Sequence, residues 1–203
     1  MTVRRIAYGL VLVLAGVSAF ALTKARPTYT AATIERRITE RTADGKTTEV
    51  ATETEYRDAL GNWRVVRRLA NGHQLQFGAD TAGGQWLSKD DKRYVRTGDY
   101  AVTDDWTAAA ALRKTAGFVR DDTILGQPAV VLHPLGAGGA IDGNTEVWVA
   151  PALGRVTLRM ITTMSNGGQQ VIEPTSITVG EPLNGAARLP AHLALYTGPP
   201  GEL

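Results

Sequence analysis

The chain has 203 residues, with 22 Lys and Arg, 20 Asp and Glu, three His and no Cys. Because Cys is absent, we expect no disulfide framework, no thiolate nucleophile and no thiol-linked lipid anchor. The near balance of charges gives no electrostatic support for nucleic-acid binding, and none is predicted.

The first residues have the pattern of a secretory signal peptide. A basic start at residues 1–5 precedes an apolar or small stretch at residues 6–22, and Ala19-Phe20-Ala21 provides small residues for a signal peptidase. We expect cleavage after Ala21, or otherwise after Ala19, and release into the periplasm or the extracellular space. Cleavage after Ala21 removes two arginines and no acids, which leaves 20 basic and 20 acidic side chains and a net charge of zero.

An uncleaved N-terminal anchor is the alternative for the same stretch. Its 17 residues are at the lower edge of the roughly 17–25 that a membrane-spanning helix needs. In that case the protein is tethered to the cytoplasmic membrane through residues 6–22.

The rest of the chain is consistent with one domain. About 180 residues bury enough surface for a stable core, and residues 30–180 contain no long linker and no repeat of fixed period. We predict a single β-rich domain at residues 22–182, after a signal peptide at 1–21. Residues 183–203, rich in Pro, Gly and Ala, are predicted to form an irregular tail.

The domain begins with a predicted β-hairpin. Thr33 to Thr42 and Thr47 to Arg57 flank a turn at residues 43–46. In the second strand, period-two alternation predicts Glu49, Glu53 and Glu55 on one face. The first strand offers arginines at positions 36, 37 and 41 for cross-strand ion pairs, and loops of two, three or four residues match different partners, so the register stays open.

A second hairpin is predicted around Asn71-Gly72. The strands Trp63 to Leu69 and His73 to Phe77 flank this dipeptide, which suits a two-residue type I′ loop because both residues tolerate positive φ. The resulting register pairs Val66 with Phe77 and Arg68 with Leu75.

Further strands and one helix complete the predicted antiparallel fold. Residues 105–116 have two aspartates at the start, an Ala-rich run, basic residues in the last turn and a following glycine, all typical of a helix. The remaining strands are predicted at 86–88, 93–97, 129–133, 145–150, 155–164 and 169–179. The fold class is therefore mainly β: a single curved antiparallel sheet or half-barrel with one helix packed against it.

The residues that most often carry chemistry are scattered. His73, His133 and His192 are far apart in the chain, so neither a metal site nor any cofactor is predicted. No Gly-x-Ser-x-Gly motif positions a serine nucleophile. The aspartate pairs 90–91, 104–105 and 121–122 are adjacent on single segments, as in a turn, a helix start and a loop, rather than opposed across a substrate.

The loop at residues 134–144 is rich in glycine but has neither the lysine of a phosphate loop nor a following helix signal. Two interpretations stay open for it, a plain connection between strands and a mobile flap at the rim of a binding site.

Four tryptophans are the last candidates for function. Trp63, Trp86, Trp106 and Trp148 fall on predicted strands or the helix, where large apolar side chains fill a core. If some of them instead line a concave face, they form an apolar ligand groove. The tentative groove residues are Trp86, Leu87, Tyr94, Trp106, Trp148 and Met160.

Two strand motifs and the order of elements resemble a known family. Ile-Leu-Gly-Gln-Pro-Ala-Val-Val-Leu at 124–132 leads to Glu-Val-Trp-Val-Ala-Pro at 146–151, between an opening Arg/Glu/Thr-rich hairpin and a final hairpin. This layout is similar to small exported bacterial proteins of the lipoprotein-carrier (LolA-like) superfamily. The resemblance implies a half-open sheet with a hydrophobic concavity for acyl chains or lipidated partners, or a sensing role, and transfers no active site.

Together these features predict an exported, non-enzymatic binding protein for a hydrophobic ligand, a lipid or a lipidated protein. The first alternative is a membrane-tethered domain that binds a protein partner or acts as a sensor. The second is a hydrolase of unknown type, for which the sequence displays no cluster of His and carboxylate side chains.

Overall fold

The computed structural model describes residues 29–81, 83–99, 109–135, 140–154 and 156–198. These residues form one open, curved sheet of twelve strands with very little helix, so the predicted mainly β fold is confirmed. The predicted signal peptide or anchor lies outside the described residues. Within them, no helix is long and apolar enough to span a membrane.

The elements are β1 Ala32–Arg41, β2 Thr47–Arg57, β3 Trp63–Leu69, β4 Gln74–Asp80, β5 Gly84–Ser88, β6 Arg93–Gly98, α1 Ala109–Leu112, β7 Phe118–Ile124, β8 Gln127–Leu132, β9 Thr145–Ala150, β10 Val156–Thr163, β11 Gln169–Val179 and β12 Ala194–Leu195.

The sheet consists of two antiparallel meanders that are joined by the pairing of the first strand of one with the last strand of the other. Strands β1 to β6 follow one another in space, as do β7 to β11, and β11 returns to pair with β1. Only β12 is parallel to its neighbour, β6. The long β1–β11 pairing therefore lies in the middle of the sheet and connects its two halves.

The first hairpin forms as predicted, with a bulge that the alternation did not reveal. Ile38 pairs with Ala51 and Thr39 pairs with Glu49, so Val50 is an extra residue on β2. A bulge of one residue reverses the faces of the side chains beyond it. Glu49 therefore points to the face opposite that of Glu53 and Glu55, and the prediction that all three share a face is wrong for Glu49.

The second hairpin forms with a register one residue away from the prediction. Phe77 pairs with Val65, not Val66. The loop has three residues, 70–72, and ends in a glycine at φ 85°. A type I turn followed by a left-handed residue is the common three-residue hairpin loop. Because side chains alternate along a strand, this shift determines which β3 side chains share a face with Phe77.

Only part of the predicted helix is helical. Residues 105–108 lie outside the described part of the chain, 109–112 form α1, and the prediction is wrong for 113–116. After Leu112 the hydrogen bonds are those of turns. Gly117 is needed for a different reason: a Cβ there would lie 2.0 Å from the carbonyl oxygen of His133, which follows β8. Leu112 is buried against Val130 and Val149, so α1 packs on the sheet as predicted.

The largest apolar core cluster lies between β1 and the β9–β10 connection. That connection, Pro151–Leu153, is a 3₁₀ turn that ends at Gly154 with φ 75°. A Cβ at Gly154 would lie 2.7 Å from a ring carbon of Tyr29, so both the backbone and the packing require glycine there. The buried members of the cluster are Ala32, Ile34, Ala150, Leu153, Val156 and Leu158.

The segment predicted as an irregular tail is largely irregular between residues 183 and 198, but it packs against the sheet. Leu193 is buried in a cluster with Trp86 and Tyr94, and Leu189 packs against the same cluster. Two residues of this segment form β12. The C-terminal segment therefore covers part of the β5–β6 surface.

Candidate functional site

A cavity of ≈ 320 Å³ lies on one face of the sheet where its two halves meet. Its lining comes from β1 to β4 on one side and from β10 and β11 on the other. Five charged side chains, five apolar side chains and one threonine line it: Arg36, Glu53, Glu55, Arg57 and Arg67; Trp63, Val65, Phe77, Met160 and Ile172; and Thr157.

Strand register brings the charged residues together. Arg36 of β1 is opposite Glu53 of β2, and Glu53 is opposite Arg67 of β3. Directly opposed residues on antiparallel strands project from the same face. Arg36, Glu53 and Arg67 therefore form a row of alternating charge across three adjacent strands. A neighbouring row on the same face contains Glu55 and Val65.

These charges form a buried ion-pair network. Arg36 donates from Nη1 to Glu53 Oε1 at 2.8 Å and from Nη2 to Glu55 Oε2 at 2.5 Å. Arg67 donates from Nε and Nη2 to Glu53 Oε2 at 2.9 and 2.6 Å. Arg57 pairs with Glu55. Since the side chains of Arg36, Glu53 and Glu55 are only 4–7% exposed, their mutual pairing is what makes their burial tolerable.

The network shifts the pKa values of its members. Burial alone would raise the pKa of Glu55, but the guanidinium groups of Arg57 and Arg36 outweigh burial and hold this pKa at about 2, below the ordinary 4.5. For Arg36, burial lowers the pKa, and Glu55 and Glu53 more than reverse this effect, so its pKa lies above the ordinary value. Both groups are therefore charged throughout the neutral range.

A pH dependence of folding follows from Glu55. Its pKa is lower in the folded protein than in the unfolded chain, so its stabilising contribution is present above about pH 4.5 and is lost as the pH falls toward about 2. We expect the urea midpoint to fall between pH 5 and pH 2.5, and less steeply in Glu55→Gln. Glu173→Gln, which removes an exposed partner of Arg37, is the matched control. An unchanged acid profile in Glu55→Gln would contradict the role of this carboxylate.

The cavity lies where β10 separates from β11. Only Met160 to Thr163 of β10 pair with β11, and Met160 faces Ile172 as the last pair before the strands diverge. Past this point the Thr157 carbonyl oxygen accepts a hydrogen bond of 2.7 Å from Nη2 of Arg36. Arg36 thus links the diverging end of β10 to the ion-pair network on β1 and β2.

Aromatic rings form one wall of the cavity. Trp63 and Phe77 are in edge-to-face contact, with ring centroids 6.1 Å apart and an interplanar angle of 81°. The guanidinium carbon of Arg67 lies 5.7 Å from the centroid of Phe77. The cavity therefore combines apolar walls with a charged floor.

This arrangement is suited to binding. Both glutamates in the lining are engaged by arginines, and arginine holds its proton too tightly to act as a general acid near neutral pH. Among the described residues of the lining there is no His, Ser or Lys that would act as a base or nucleophile.

The residues of the tentative apolar groove occupy several places. Met160 lines the cavity, and Leu87 faces Phe77 on the same side of the sheet. Trp86 and Tyr94 lie on the other side, under Leu193, because side chains alternate along β5. Trp148 lies in a different core cluster, and Trp106 lies outside the described residues. The role of these six residues in ligand binding stays a prediction.

Trp148 is buried in a separate cluster with Ala129 and Val131. Its ring lies between two guanidinium groups, with centroid distances of 4.9 Å to Arg159 and 5.5 Å to Arg120. Its Nε1 donates to Oδ2 of Asp122 at 2.8 Å. The indole is 2% exposed, so little of its surface is accessible to a ligand. Its hydrogen bond is the main cause of the lowered pKa of Asp122.

Two of the three histidines and the aspartate pairs 90–91 and 121–122 contact other groups of the protein, and the pair 104–105 lies outside the described residues. His133 Nδ1 is 2.8 Å from the Thr145 carbonyl oxygen, and His192 Nε2 is 3.2 Å from Asp91. Asp90 accepts backbone hydrogen bonds within its turn, which is the main cause of its lowered pKa of about 2. The pair 121–122 lies on β7, a strand rather than the predicted loop. In the described part of the chain, no three His, Asp or Glu residues are grouped to hold a metal ion.

Sequence reasoning identified some members of the cavity and missed others. It noted the cross-strand charges of β1 and β2 but not Arg67, Trp63 or Phe77. The available signal was the alternation along β3, which places Trp63, Val65 and Arg67 on one face. The predicted register of the hairpin was wrong by one residue and paired Phe77 with Val66, on the opposite face.

Comparison with known proteins gives matches in structure alone. No protein-family model and no curated protein sequence matches the chain. Among solved structures, MucB in complex with MucA(peri) matches with 14% identity and a TM-score of 0.44, over 85% of this chain and 61% of that chain. The chain thus spans about three fifths of the length of that protein.

Two further structures match with lower scores. A DUF1329 family protein from Desulfovibrio piger has 10% identity and a TM-score of 0.34, over 78% of this chain and 89% of that chain. A LolA superfamily protein from Nitrosomonas europaea has 9% identity and a TM-score of 0.34, over 79% and 91%. This last protein belongs to the superfamily that the two strand motifs and the order of elements resemble.

Proposed function

We propose that the protein is an exported, non-enzymatic binding module that takes an apolar ligand, a lipid or the lipid group of a lipidated protein into the cavity beside Arg36. The observation that carries this proposal is the cavity itself, ≈ 320 Å³ in volume, with five apolar side chains in its lining. Ligand sites are typically concave and mostly apolar, with a few polar groups that orient the ligand.

The geometry at the junction of the two half-sheets supports this proposal. Because the residues of β10 before Met160 do not pair with β11, the apolar side chains there are not covered by a continuous sheet surface. Trp63, Met160 and Ile172 are only partly buried by the protein's own packing. An apolar ligand would remove this surface from water, which is favourable in proportion to the area buried.

The predicted signal peptide supports the cellular location. A cleaved signal delivers the module to the periplasm or the extracellular space, and an uncleaved one keeps it at the cytoplasmic membrane through residues 6–22. Analysis of the N-terminus of the protein recovered from soluble and membrane fractions distinguishes these two cases.

The first test is a native mass spectrum of the protein isolated from a periplasmic expression, recorded before and after organic extraction. We expect a heterogeneous added mass of lipid size that is lost on extraction. A clean mass without ligand, together with no binding of the apolar fluorophore N-phenyl-1-naphthylamine, would contradict the proposal and direct attention to protein partners.

A variant that fills the cavity provides a sharper test. Thr157 is exposed and lines the cavity, so Thr157→Trp should place an indole in the ligand's volume at little cost in stability. We expect the affinity for N-phenyl-1-naphthylamine to fall by about tenfold or more, equivalent to ~1.4 kcal/mol. Thr163→Trp, at the exposed far end of the same strand, is the matched control and should bind like the original protein. Equal affinities in both variants would place the ligand elsewhere.

A further inference from the structure

The charged floor of the cavity is not electrically neutral. Three arginines and two glutamates line it, so the lining carries a net charge of +1. The two glutamates are saturated by Arg36, Arg57 and Arg67, and the excess charge is therefore positive. Arg67 is the most exposed member of the network, with 31% of its side chain accessible to water.

One arginine of the network can reach an additional acceptor. The Nε of Arg36 has no hydrogen-bond partner in the described part of the protein, but it is enclosed by protein atoms and does not open into the cavity. Arg67 uses Nε and Nη2 for Glu53, which leaves Nη1 for another group. Because Arg67 is partly exposed at the cavity, its Nη1 can donate to an acceptor that arrives with a ligand or water.

The loss of water from Arg67 when a ligand binds determines which head group the cavity favours. An apolar chain against Phe77 displaces water from the neighbouring Arg67, because the guanidinium lies over the same ring. A neutral ligand leaves the displaced donors without acceptors, and a cationic ligand adds repulsion. A ligand with an oxyanion replaces the lost water with charge-assisted hydrogen bonds and balances the excess positive charge.

We infer that the cavity selects an amphipathic anion with a single linear apolar chain, and this inference rests on the proposed function. The oxyanion binds at Arg67, and the chain lies against Trp63, Phe77 and Met160. A single chain is specified by size, since ≈ 320 Å³ is at the small end of the roughly 300–1,000 Å³ of ligand pockets.

Three ten-carbon amphiphiles that differ only in the head group test this inference. Decanoate, 1-decanol and decyltrimethylammonium are compared by displacement of N-phenyl-1-naphthylamine below their micellar concentrations. We expect decanoate to bind about tenfold more tightly than decanol, and the cationic amphiphile to bind most weakly. Addition of salt should reduce the preference for decanoate, because Arg67 is partly exposed.

Two variants on β3 test whether Arg67 causes the preference for decanoate over decanol. Arg67→Gln should remove most of the preference for decanoate and change the affinity for decanol by less than about threefold. Arg68→Gln, an exposed neighbour on the opposite face of β3, should retain the preference. Thermal unfolding of both variants shows whether the fold is intact.

The outcomes separate this inference from the proposed function. Equal affinities for all three head groups, or a preference that survives Arg67→Gln in a folded protein, would overturn the selection of anions and leave an apolar binding cavity in place. Failure of every amphiphile and of the fluorophore to bind would overturn the proposed function itself.

Discussion

Replacement of Arg36 by methionine is expected to lower the free energy of unfolding by about 3–5 kcal/mol. Methionine matches the aliphatic part of the arginine side chain and lacks its guanidinium group, so the loss is mainly electrostatic. Arg36 contacts both Glu53 and Glu55 in a site where all three side chains are at most 7% exposed. Its removal leaves two buried carboxylates with fewer partners and leaves the Thr157 carbonyl oxygen without its donor.

Urea unfolding at pH 7 measures this effect, and two further variants control it. Arg37→Met removes the exposed pair with Glu173 and should cost no more than about 1 kcal/mol. Adding Glu53→Gln and Glu55→Gln to Arg36→Met should recover part of the loss, because no uncompensated carboxylate then remains buried. A loss for Arg36→Met no larger than that for Arg37→Met would show that the buried network contributes no more to stability than an exposed pair does.

The second large effect is expected at Trp148. Trp148→Ala should cost about 3–5 kcal/mol, because it opens a cavity in a cluster where the indole is 2% exposed. Trp148→Phe should cost less, since it retains most of the apolar volume and loses mainly the hydrogen bond to Asp122. Urea unfolding of the two variants, alongside the original protein, measures both losses.

The same variants test whether Trp148 contacts ligand. If Trp148 is a core residue, Trp148→Phe should bind N-phenyl-1-naphthylamine as tightly as the original protein does. A folded Trp148→Phe with strongly reduced affinity would contradict the separation of this cluster from the cavity. It would support the groove predicted from the sequence, in which Trp148 and Met160 act together.

The first two hairpins show which parts of the fold are predictable. Alternation and turn residues located β1 to β3 within one residue and placed β4 three residues short at its end, because these signals are local. The pairing of Val65 with Phe77 depends on a three-residue loop, and Asn71-Gly72 fits both a two-residue and a three-residue loop. The bulge at Val50 has no local signal, since it is stabilised by the pairing of β1 with β2.

The candidate site depends on these non-local details. Each of Arg36, Glu53 and Arg67 is unremarkable on its own strand, and only register aligns them in a row. Likewise, no local sequence pattern indicates that the pairing of β10 with β11 stops at Met160. This separation of the two strands opens the cavity.

The sequence alone determined the pattern of a signal peptide, the positions of most strands, the mainly β class and the absence of disulfides, because these follow from composition and short-range periodicity. The tertiary structure decided that the face with Glu53 and Glu55 is buried and that the C-terminal segment covers Trp86. It also decided where the cavity lies. These features depend on contacts between residues far apart in the chain, whose register and packing a linear pattern does not encode.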